Sequence, residues 1–77
     1  MFLEIFGDKD YYEEAFVRAY VYKRDGEYQG YPAYIYEVSF TNQFDIEEMI
    51  ADTALKVGLK CKKGFLPDIR KIQIIFS

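Results

Sequence analysis

The segment from Asp45 to Gly58 constrains this chain more than any other. Asp45 followed three residues later by Glu48 is the pattern of a capping box, in which each side chain closes a backbone donor left open at a helix start. Phe44 before the cap and Met49 at the fourth helical position suit a hydrophobic staple. Ile46, Met49, Ile50, Thr53, Ala54 and Val57 then recur at three- and four-residue spacing, which predicts a helix with one apolar stripe. Glu47 and Glu48 at its start and Lys56 near its end complement the helix dipole, and Gly58 is expected to supply a left-handed stop. Such a stripe must be buried against another layer, and the rest of the chain must provide it.

That layer reads as a sheet. Tyr31 to Thr41 is rich in aromatic and β-branched residues and lacks a helical period, which predicts a strand. Ala15 to Arg24 is expected to pair with it as a hairpin across Asp25 to Gly30, where Asp-Gly and a second glycine are turn signals. If paired residues sum to an odd number, Ala15, Val17, Ala19 and Val21 share a face with Tyr34, Tyr36, Val38 and Phe40. Small residues then stand beside large ones, and Arg18, Tyr20, Tyr22, Arg24, Ile35 and Glu37 form the opposite face. An even sum would gather Tyr20, Tyr22, Tyr34 and Tyr36 together and leave a poorer core face, so the odd register is preferred.

Asp10 with Glu13 also resembles a capping box, and Tyr12, Ala15, Phe16, Ala19 and Tyr20 fit a helical stripe, a competing reading of 10–23. The β composition of Val-Arg-Ala-Tyr-Val-Tyr favours a turn near Asp10 and a strand from about Ala15. Phe2 to Phe6 and Lys71 to Phe76 are short apolar segments of strand length, and Pro67 makes 59–68 a loop of about ten residues. The expected fold is a single α+β domain over residues 1–77, in the order β-β-β-α-β. Its small, antiparallel-rich sheet carries one helix on one face.

With 77 residues there is room for one core, and seven Phe and eight Tyr supply its bulk without disulfides. Cys61 is the only cysteine, which points to a reducing compartment, the cytoplasm by default. No apolar run approaches the roughly 18–20 residues of a membrane span, and no signal-peptide pattern opens the chain. No membrane partner is expected. Charge is divided along the chain: residues 1–52 hold twelve acids against four bases, a net of −8, while 53–77 hold six bases against Asp68, a net of +5.

Most simple chemistry is excluded by what is missing. Without histidine there is no ordinary general base near neutral pH and no histidine-containing triad or zinc site. The lysines around Cys61 would favour its thiolate, yet no residue type is there to orient it as a nucleophile, so it reads as an incidental thiol. Asp8-Lys9-Asp10 fails as a calcium loop because Tyr12 and Glu13 occupy the next ligand and the glycine positions. The lysines between Gly58 and Gly64 lack the Gly-Lys-Ser/Thr ending of a phosphate loop. Neither enzyme activity nor a cofactor or metal is expected.

What remains is equipment for binding. Arg18, Tyr20, Tyr22 and Arg24 on the sheet, with Tyr28 and Tyr31 in the turn, are residue types favoured at protein interfaces. The acids Asp8, Asp10, Glu13, Glu14, Asp45, Glu47 and Glu48 form a surface that could enter a basic groove intended for nucleic acid. Small phage-encoded inhibitors act in that manner, an analogy of charge and size alone. Lys60, Lys62, Lys63, Arg70 and Lys71, together with Lys56, offer the contrary reading, a basic patch for phosphate. The leading expectation is a module that binds a larger protein as an inhibitor or adaptor. The alternatives are a nucleic-acid-binding domain and a homo-oligomer, at simplest a homodimer.

Overall fold

The computed structural model describes residues 1–24 and 30–77. Its elements follow the expected order: β1 (Phe2–Phe6), β2 (Glu14–Lys23), β3 (Tyr34–Thr41), α1 (Ile46–Leu59) and β4 (Pro67–Phe76). The four strands form one sheet in the order β1-β4-β2-β3, with α1 on one side. Most of the hairpin turn, 25–29, lies outside the described residues, and Tyr28 with it.

The competing helical reading of 10–23 loses because β2 is a central strand. It pairs antiparallel with β3 on one side and β4 on the other, which gives its backbone groups partners in both directions. The register against β3 is the odd one, Ala15 to Phe40, Val17 to Val38, Ala19 to Tyr36 and Val21 to Tyr34. Ala15, Val17, Ala19 and Val21 are fully buried beneath the helix, next to Ile72, Ile74 and Phe76 of β4. Small residues on the central strand leave room for Met49, Thr53 and Val57 of α1, and Phe40 closes the core from β3.

The capping box forms as expected: Asp45 accepts from the Glu48 amide at 2.8 Å, and Glu48 reaches back to the Asp45 amide. Phe44 turns edge-on to Phe40, ring centres 5.3 Å apart. The stop is different from the one anticipated. Gly58 lies within the helix, which runs on to Leu59; left-handed backbone occurs instead at Gly7, Gly30 and Gly64. No left-handed residue is needed because following groups close the last carbonyls. The Lys60 amide bonds to Lys56 O, the Cys61 amide to Gly58 O, and the Cys61 thiol donates to Val57 O at 3.1 Å.

Three other expectations shift. β4 begins at Pro67, so the connection after α1 shrinks to 60–66; proline is tolerated as the first residue of a strand, where its missing donor costs nothing. β3 begins at Tyr34 rather than Tyr31. The sheet is antiparallel-rich as expected, with β2 antiparallel to both β3 and β4, and β1 adds one parallel pairing with β4. Ala54 is exposed because α1 spans β2, β3 and β4 but not β1, whose Leu3 and Ile5 also stay part-exposed.

This topology sends β1, β3 and β4 in one direction, so their carboxyl ends and the start of α1 share one end of the molecule. The β1–β2 connection crosses the end of β4 there, with the Glu13 amide on Ser77 O and the Ser77 amide on Glu14 O. At Gly7 a Cβ would stand 2.3 Å from the Phe76 carbonyl oxygen, and φ is +87°, so both the crossing and the turn require glycine.

Candidate functional site

Two surfaces collect the residues singled out in the sequence. The first is a cleft of about 1260 Å³ at the shared strand end, bounded by the β1–β2 connection, the β3–α1 connection and the first turn of α1. Tyr12 holds its walls together: its hydroxyl donates to Phe44 O at 2.7 Å, and its ring lies 4.6 Å from that of Phe76.

Of the seven predicted acids, Asp10, Glu13, Asp45, Glu47 and Glu48 line this cleft, while Asp8 and Glu14 are not part of its lining. The reason is partly local. Asp45 and Glu48 close the helix start, Glu47 faces the positive end of its dipole, and Asp8 Oδ1 accepts from the Asp10 amide to shape the turn. Lys9 is the one cation in the lining, and Tyr11, 88% exposed, stands among the acids. Among the described residues, no ion pair reaches any of the five cleft carboxylates.

The second surface is the sheet face turned away from α1, which no element among the described residues covers. Paired positions make rows across it, ordered from β1 to β3. One runs Phe2, Lys71, Tyr20, Ile35; the next Glu4, Gln73, Arg18, Glu37; the last Phe6, Ile75, Phe16, Ser39. Arg18, Tyr20 and Tyr22 therefore share this face, as the odd register requires. Arg24 lies past the end of β2 and donates to Pro67 O, and Tyr31 projects into solvent ahead of β3.

Here the charges neutralise one another. Arg18 binds Glu37 at 2.6 Å, and Lys71 binds Glu4 at 3.0 Å while lying over the Tyr20 ring. Tyr20 donates to Gln73, which donates in turn to Glu4. Hydrogen bonds from Lys71 and Gln73 hold the Glu4 carboxyl below its ordinary pKa, and the same contact with Glu4 raises that of Lys71. Glu37 raises that of Arg18 in the same way.

The predicted basic patch does not converge. Arg70, over the Tyr22 ring and paired with Asp68, and Lys71 belong to the open sheet face. Lys56 and Lys60 belong to the helix side, over Phe40 and Tyr36, and Lys62 and Lys63 to the loop beyond it. Around Cys61 a small pocket of about 330 Å³ is walled by Tyr34, Tyr36 and Phe65, and burial raises the Tyr34 pKa. The cysteine thiol is already engaged with Val57 O, as part of the helix end.

The sequence identified both groups of residues but not the cleft itself. The acids come from two separate segments, and only the crossing of β4 by the β1–β2 connection brings them together. Among the described residues, no group of three or more His, Cys, Asp or Glu side chains is placed to hold a metal ion, and no helix is long and apolar enough to cross a membrane. Comparison with protein-family models, with curated proteins and with solved structures finds no match for this chain, so the functional reading rests on the geometry of these two surfaces.

Proposed function

We propose that this chain is a non-enzymatic binding module whose acidic cleft receives a basic segment of a larger protein. It would act as a small inhibitor or adaptor that takes up basic residues with which the larger protein would otherwise hold nucleic acid. The observation that carries the reading is a contrast within one molecule. Acids on the sheet face and helix flank, Glu4, Glu37, Asp52 and Asp68, are each paired with a lysine or arginine. The five in the cleft face solvent with Lys9 alone nearby. A concave surface of one sign concentrates its field and speeds encounter with an oppositely charged partner. Tyr11 adds an exposed ring of the kind that anchors interfaces.

The nucleic-acid alternative has less support, because four of the six bases are paired with acids or lie over rings, and the set is divided between two sides of the sheet.

The test uses a fluorescein-labelled arginine-rich nonapeptide as a stand-in for the basic segment, read by fluorescence anisotropy. Saturable binding is expected at low salt, weakening about tenfold or more by 0.2 M salt as screening sets in. Glu13→Gln with Glu47→Gln should weaken it strongly. Glu37→Gln with Asp52→Asn, which changes net charge equally but away from the cleft, should leave it nearly unchanged. Equal weakening by both pairs, or no binding at low salt, would refute the assignment. Labelled oligonucleotides in the same assay test the alternative.

A further inference from the structure

We infer that the open sheet face is a self-association surface, on which a second copy of this chain stacks to form a two-fold dimer. The inference does not depend on the role of the cleft. It starts from size: the molecule measures 40 × 24 × 15 Å, the proportions of a flat body two layers thick. Its broad side can thus supply the roughly 800 Å² per partner of a standard stable interface. The face is also rich in exposed apolar residues, with Phe2 61%, Phe6 47% and Ile35 50% exposed.

The order of residues across the face selects a second copy as the occupant. Aligned sheet packing keeps strand directions within about 30°. A two-fold axis running along the strands between β4 and β2 meets that condition and reverses each row against itself. Phe2 then faces the partner's Ile35, Lys71 the partner's Tyr20, Gln73 the partner's Arg18, Ile75 the partner's Phe16, and Phe6 the partner's Ser39. Apolar meets apolar at Phe2 and at Ile75, an ammonium meets a ring, an amide oxygen meets a guanidinium, and Phe6 lies at the rim over a small side chain. Glu4 and Glu37 meet at the rim, each already neutralised by its own Lys71 or Arg18. An axis across the strands through the middle row would instead set Glu4 over the partner's Glu4 and Arg18 over the partner's Arg18. Because rotation about the strand direction preserves the two ends of the sheet, both acidic clefts would open at the same end of the dimer.

Sedimentation equilibrium of the full chain tests this. The wild type is expected at twice the chain mass of 9.1 kDa at about 100 μM, and Phe6→Lys with Ile35→Lys should return it to the monomer mass. Both positions are exposed, and circular dichroism would verify that the variant keeps its fold. The axis is tested in a Cys61→Ser background. Phe2→Cys with Ile35→Cys should be joined between copies by a short bis-maleimide that spans the roughly 10 Å between stacked sheets. Each single change should not, because its own symmetry mate lies about three strand spacings, roughly 14 Å, further across the face and beyond the reagent's span. A wild type that stays at 9.1 kDa up to several hundred micromolar would overturn the inference and leave the face to another partner. So would a dimer that is indifferent to the lysine pair, or one in which the single cysteines cross-link as well as the double.

Discussion

Thr53 is the one buried polar side chain in the core, and its hydroxyl is fully enclosed with no hydrogen-bond partner among the described residues. A hydroxyl removed from water without compensation costs on the order of 1–3 kcal/mol, whereas a methyl in the same volume costs nothing of that kind. Thr53→Val keeps the β-branched shape and a similar helix propensity. It is expected to stabilise the fold by about 1 kcal/mol, a rise of several degrees in Tm for a domain of this size. Urea and thermal unfolding would measure it, and a lower Tm would mean the hydroxyl is satisfied after all. The sequence placed Thr53 on the apolar stripe correctly. Whether its oxygen would find a partner depends on which atoms the sheet presents, and no local pattern encodes that.

At the scale of elements, α1 shows how far local signals reach. Its start was legible because the capping box needs only residues 45 to 48, whose side chains meet their own backbone. Its end was not, because its last carbonyls are closed by Lys60 and Cys61, whose conformation follows from the chain turning toward β4. Gly58 is therefore a helical glycine without a conformational reason to be one. A Cβ placed there meets nothing within 4 Å, and its φ is not positive. Gly58→Ala should stabilise the protein by roughly 0.5–1 kcal/mol through reduced freedom of the unfolded chain. A chemical denaturation curve with a raised midpoint and unchanged slope is the expected outcome. Destabilisation would show that the helix end needs the glycine.

Across the whole molecule, β1 is the least buried strand and meets the sheet only through β4. The Glu4 contacts with Lys71 and Gln73 tie it down from the open face. Since the folded Glu4 carboxyl lies below its ordinary pKa, its contribution is present above that ordinary value and is lost as pH falls through the folded one. Amides in the β1–β4 ladder should lose exchange protection as pH drops below about 4, ahead of those in the β2–β3 ladder. Glu4→Gln should flatten that difference. If both ladders respond alike, or if the variant keeps the wild-type profile, the tie is elsewhere.

The amino-acid sequence determined by itself what depends on neighbours along the chain: the capped amphipathic helix, strands at 2–6 and 15–23, and the face each β2 residue takes once its small side chains must meet large ones. Only the tertiary structure decided what depends on distant partners. The parallel placement of β1 on β4, the separation of the lysines onto two sides, and the gathering of Asp10 and Glu13 with the acids of α1 all belong there. The physical reason is that strand alternation and helix periodicity fix directions within an element, while strand order is set by which buried faces and crossing connections fit together.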